Sequence, residues 1–198
     1  TKYETNVTSD IDLCVWSMRE FEAYANWEDK SGTWWDRYDY AHVEYLLDKT
    51  GGTLEQIVQT KGSIPEEKLY DFTSASIDGY VNSVFRSIKC LKNDNKLGAH
   101  LEAANSMLDF LTVLFALNGR HRPFLGYLEK ELKNYPLMHS PFAADEVIEK
   151  IQVVLSTANG KTQQELLRAI EKLGRERGFD KVFDDWEGKD VWTMTVEV

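Results

Sequence analysis

One stripe of apolar residues constrains most of this chain. Ile77, Val81, Val84, Phe85, Ile88 and Leu91 fall at offsets of 0, 4, 7, 8, 11 and 14, which is one face of a helix expected over about 74–92. The segment after it, about 97–117, is apolar nearly all round through Leu101, Ala104, Met107, Leu108, Phe110, Leu111, Leu114 and Phe115. That pattern predicts the central, buried helix of a bundle. Upstream, Ser63 reads as an N-cap, with Pro65 in the first turn and Glu66 three residues on in the capping-box position. Further helices are expected over 124–134, 144–156 and 162–178, and the tail Val191–Val198 reads as a last strand.

Before residue 63 the texture changes. Ile11–Trp16 and Ala41–Asp48 are short apolar runs of strand length, separated by an aromatic and charged stretch with a turn at Asp29–Gly32, and Thr50–Thr53 closes the pair. The expected architecture is therefore α+β: a small mixed sheet over 1–62, followed by a helical bundle over 63–198. With 23 Lys plus Arg against 33 Asp plus Glu, the net charge of 23 − 33 = −10 argues against extended nucleic acid or an anionic membrane as partner, and leaves room for a local basic site. No apolar run approaches the ~18 residues of a membrane span, and the polar start is not a signal peptide. Cys14 and Cys90 sit in apolar contexts without metal-ligand spacing, as buried thiols of a reducing cytoplasm do. The chain opens on Thr1 rather than Met and enters a strand-like run almost at once, so sequence upstream is expected.

On a strand, alternation sends Asp10 and Asp12 to one face while Ile11 and Leu13 point to the other. Two carboxylates side by side repel, and a hard divalent cation relieves that repulsion. A solvated strand edge explains the same spacing equally well. Glu44 interrupts the second apolar run, where a carboxylate is costly unless paired or metal-bound. It is either a third oxygen ligand or a Glu on an exposed strand face, with Asp48 as its competitor and His42 behind it.

SDIDLCVW followed by HVEYLLDKTG resembles the catalytic strands of the DNA polymerase β-like nucleotidyltransferase superfamily, and the segments from Ile77 onward resemble the helical domain of small bacterial members related to aminoglycoside and lincosamide nucleotidyltransferases. The resemblance implies Mg²⁺, as one or two ions on Asp10, Asp12 and Glu44, and transfer of a nucleoside monophosphate from a nucleoside triphosphate to a hydroxyl of a small-molecule acceptor, antibiotics included. It places Ser9, Arg86 and Lys89 at the nucleotide, the last two one turn apart on a polar stripe with Asp78 and Asn82. That stripe also reads as a solvated surface face. Glu102, together with Asn105 and Asp109, pairs with Arg86 or Lys89 or else receives a cationic acceptor; Arg120 faces the cleft or serves the end of its helix. One departure is plain: the family's Gly-Ser strand is not found before Ser9, where only TKYETNVT stands. The alternative is a non-catalytic binding or interaction protein that keeps the fold.

Overall fold

The computed structural model describes residues 3–4, 14–27 and 33–198. The chain divides into two compact units, Thr1–Ser63 and Ile64–Val198.

In the first unit, β1 (Tyr3–Glu4) and β2 (Cys14–Val15) pair antiparallel, with Tyr3 opposite Val15. Helix α1 (Met18–Ala23) follows at once. Ser17 starts it through a capping box: the Ser17 N–H donates to the Glu20 carboxylate at 2.9 Å, and the Glu20 N–H donates to the Ser17 hydroxyl at 3.3 Å. A 3₁₀ segment over Thr33–Tyr40 leads through an irregular stretch to α2 (Thr53–Lys61), which starts after Gly52 in the left-handed region. Ala25, Tyr40 and Val58 form the small core, with Phe21 and Tyr24 packed on it.

The second unit is helical throughout its regular structure. Helix α3 (Glu66–Lys92) turns through Asn93–Asn95 into α4 (Lys96–Ala116). Asp94 takes a left-handed φ of 52°, and the Asn95 side chain accepts the Gly98 N–H at 3.0 Å, so the connection reverses the chain and caps the next helix. A 3₁₀ turn (Leu125–Tyr127), α5 (Leu128–Asn134), α6 (Ala144–Thr157), α7 (Gly160–Glu176), α8 (Asp180–Asp184) and α9 (Lys189–Thr195) complete it. The core joins Ile77, Val81, Val84 and Ile88 of α3 to Ala103, Met107, Phe110 and Leu114 of α4, and these to Val154 of α6 and Leu166 and Ile170 of α7.

The α+β expectation is overturned: this is an almost all-helical protein, and strand among the described residues amounts to four residues in one short pair. The run 41–48 is irregular, with Leu46 and Leu47 99% and 66% exposed. A strand needs a hydrogen-bonded neighbour and a core to receive its apolar face. Eight residues of ambiguous period supply neither.

The tail is also helical. Gly188 (φ 84°) starts α9, Thr193 and Met194 are buried, and α7 caps its end: Gln164 donates to the carbonyls of Thr193 and Val196 at 2.9 and 2.7 Å, and Arg168 to that of Met194 at 2.5 Å. Helix α3 is one helix with Pro65 as its N-cap, so Ser63 lies outside it. Helix α4 is not buried all round, because Leu101 and Leu108 remain 60% and 41% exposed. Among the described residues no helix is long and apolar enough to cross a membrane.

Two glycines test this packing in opposite directions. A Cβ on Gly174 of α7 meets the Phe183 ring of α8 at 2.8 Å, whereas one on Gly79 in the interior of α3 meets nothing within 4 Å. Gly174→Ala is expected to destabilise by about 1–3 kcal/mol through overpacking. Gly79→Ala should stabilise by roughly 0.5–1 kcal/mol through helix propensity. Urea unfolding midpoints check both, and equal shifts of one sign would overturn the packing described.

Candidate ligand-binding site

The first unit folds around two buried cations. Arg37 is 3% exposed and donates to the carbonyls of Ala25, Thr60 and Ser63 at 3.2, 2.6 and 3.0 Å. Lys61 is 7% exposed, and its ammonium donates to the carbonyls of Phe21, Glu22 and Tyr24 at the end of α1. Those carbonyls have no partner within the helix, and a cation there meets the negative end of its dipole. Burial, and then the charge of Arg37, lowers the Lys61 pKa.

In front of this scaffold opens a cavity of about 590 Å³, lined by Trp16, Met18, Phe21, Tyr24, Asp39, Tyr40, Val43 and Leu54, with Cys14 at its edge. The capped start of α1 sets Trp16 edge-on to Tyr24 at 4.5 Å, and Phe21 lies 5.3 Å from Tyr40. The Tyr24 hydroxyl donates to Asp36 at 2.5 Å, which places that ring against the 3₁₀ segment. Burial pushes the Tyr40 hydroxyl up to about 12, and burial together with the Asp36 hydrogen bond pushes Tyr24 higher still, so both stay protonated at neutral pH. Among the described residues Asp39 is the one carboxylate of the lining; it stays exposed, yet partial loss of water around it, then the neighbouring Asp36 charge, holds its pKa above the usual value. Four aromatic rings and one carboxylate short of a counter-charge are complementary to an organic cation.

The residues expected from the sequence to carry chemistry are described only in part. Ser9, Asp10 and Asp12 lie outside the described residues. Glu44 is exposed in the irregular run 41–48 and not on a strand. Asp48 accepts the N–H and hydroxyl of Thr50 at 2.6 and 2.5 Å, a local turn whose hydrogen bonds lower its pKa. Among the described residues no three Asp, Glu, His or Cys side chains form a metal-binding group. Of the three expected oxygen donors for Mg²⁺, Glu44 alone is among the described residues.

On the second unit, Asn82, Arg86 and Lys89 share the exposed side of α3. Arg86 pairs with Glu102 of α4, Ser83 donates to Asp109 at 2.5 Å, and Asp78 accepts the Trp186 indole N–H at 3.0 Å. Glu102 is therefore Arg86's partner. Arg120 belongs elsewhere: Glu102 precedes the end of α4 by 14 residues, roughly 21 Å of helix, and Arg120 lies beyond that end. Its guanidinium pairs with buried Glu131, donates to the Tyr135 carbonyl at 2.8 Å and lies 5.4 Å from the Phe115 ring, tying the end of α4 to α5. Sequence reading missed Asp39, Tyr24 and Tyr40. The signal available was the density of aromatic and acidic residues from Trp16 to Tyr45, which the strand reading passed over as the stretch between two runs.

No protein-family model, curated protein or solved structure matches this chain.

Two measurements check these assignments. Arg120→Ala removes the ion-pair partner of Glu131, which is 2% exposed, and is expected to cost about 3 kcal/mol, whereas Arg86→Ala removes a pair whose arginine is 58% exposed and should cost less than about 1 kcal/mol. For Asp39, a raised folded-state pKa means that burial favours the acid form; its stability contribution is present below the ordinary aspartate pKa and lost as pH rises through the raised one. Asp39→Asn should therefore raise the unfolding midpoint at pH 7, with the gain shrinking towards pH 3. A gain that grows on acidification contradicts the assigned direction.

Proposed function

We propose that the first unit binds a small organic cation, and that this molecule is the hydroxyl-bearing acceptor in a Mg²⁺-dependent nucleotidyl transfer from a nucleoside triphosphate. The observation that carries the reading is the aromatic cavity with Asp39 as the single carboxylate among its described residues. An ammonium gains about 0.5–2 kcal/mol from a favourable ring face and more from the carboxylate, while a neutral isostere gains neither. The transfer half rests on the resemblance around Asp10 and Asp12 alone; Arg86, which the resemblance would add, is paired with Glu102 on the second unit. Binding without transfer is the second reading. The exposed, irregular setting of Glu44 favours it.

Choline and 3,3-dimethylbutan-1-ol, which differ in replacing N⁺ by carbon, separate these halves. Calorimetry is expected to show choline binding that the neutral alcohol does not reproduce, weakened at least about tenfold by Asp39→Asn. Affinity should fall as pH drops through the raised Asp39 pKa, because the added proton removes the charge that the cation meets. Equal binding of the two molecules ends the cation reading. Pyrophosphate release from ATP with Mg²⁺ and a panel of hydroxylated amines, abolished by Asp12→Asn, supports transfer; retained binding with no release across the panel leaves the second reading.

A further inference from the structure

A second cavity, of about 430 Å³, lies in the second unit where the first turns of α3 meet the ends of α4 and α7. Its floor is apolar and buried at Leu117 and Phe179. Tyr70 stacks on Phe179 at 5.1 Å with 16° between the rings, yet stays 53% exposed, so the pair forms an aromatic shelf with an open side. Thr73, also on the floor, is 0% exposed, and its hydroxyl has no hydrogen-bond partner among the described residues. A helical threonine ordinarily returns its hydroxyl to a carbonyl one turn back, and a buried hydroxyl left unpaired is rare in a finished site. The rim carries both signs of charge: Glu66 and Glu176 on one hand, Arg177 on the other, all exposed. Among the described residues Arg177 enters no ion pair.

This combination selects a class of ligand. A simple cation leaves Arg177 unused and meets it as a like charge; a simple anion meets two carboxylates. A neutral ring uses the shelf and none of the charge. We infer that the cavity binds a free aromatic α-amino acid, with the ring on the Tyr70–Phe179 shelf, the carboxylate on Arg177 and the ammonium towards Glu66 and Glu176. The carbonyl end of α4 beside Leu117 adds negative potential for the ammonium. The Thr73 hydroxyl is the polar contact at the floor.

Calorimetry of the full chain with L-phenylalanine tests this against 3-phenylpropionate, which lacks the ammonium, and 2-phenylethylamine, which lacks the carboxylate. Phenylalanine is expected to bind saturably and each truncated analogue at least about tenfold more weakly. Arg177→Gln should weaken phenylalanine by a similar factor without moving the unfolding midpoint, since its side chain is exposed; Tyr70→Ala should weaken it too, and also lowers the midpoint by removing the stack on Phe179. Thr73→Val should weaken binding while stability holds or rises, because it removes an unpaired buried hydroxyl; a purely structural threonine would lose stability instead. Saturating choline should leave phenylalanine binding unchanged, which separates this cavity from the one in the first unit. Phenylethylamine binding as tightly as phenylalanine, an Arg177→Gln variant that binds normally, or no saturable binding of phenylalanine at millimolar concentrations each overturns the inference.

Discussion

The second unit depends on one contact, the burial of the α3 stripe against α4. Ile77, Tyr80, Val81, Val84 and Ile88 lose all exposure, and each such aliphatic side chain contributes about 1.5–3 kcal/mol when it leaves water. The three-residue turn at Asn93–Asn95 makes the pair antiparallel and sets its register. That register is visible in successive rungs, Arg86 with Glu102, Ser83 with Asp109 and Tyr80 with Phe110. Helices α6 and α7 then pack on the surface the pair presents, and Gly174 lets α8 approach closely enough to cover Phe183. A shift of either long helix by one residue would break the polar rungs together with the apolar ones.

The first unit solves a different problem. Its buried core is small, and it organises its backbone with Arg37 and Lys61, each donating to three carbonyls. A buried cation is costly unless its donors are satisfied, and satisfying them with carbonyls from α1, α2 and the loop between units of structure ties those segments to one point. With these cations engaged behind the aromatic layer, Asp39 is the one charged side chain among the described residues of the cavity in front. The acidic character of this pocket follows from where the scaffold places its positive side chains, and not from the net charge of the chain.

How much of this was legible beforehand differs between the halves. The helical stripe of α3 is a local signal, and the helices expected over 97–117, 124–134, 144–156 and 162–178 formed within a few residues of those bounds, whereas α3 runs unbroken from Glu66 and not from about 74. The run 41–48 was not legible, because an eight-residue apolar stretch carries no record of whether a partner strand exists. Nor was α9: Thr193 and Met194 alternate as a strand would, and what makes them helical is Gln164 and Arg168 capping them from about 30 residues away. Among the candidate site residues, the proximity of Arg86 and Glu102 followed from helix hairpin geometry, whereas the engagement of Arg120 by Glu131 required the placement of α5.

The amino-acid sequence alone determined that a helical bundle follows from about residue 63, its tail apart, with Arg86 and Lys89 on one polar stripe of α3, since helix formation and the facing of its stripes depend on neighbours three and four positions away. Only the tertiary structure decided that Asp39 meets Trp16, Tyr24 and Tyr40 around one cavity, and that Thr73 lies beneath the Tyr70–Phe179 shelf. These meetings join segments distant in the chain, and no local period encodes which of them come together.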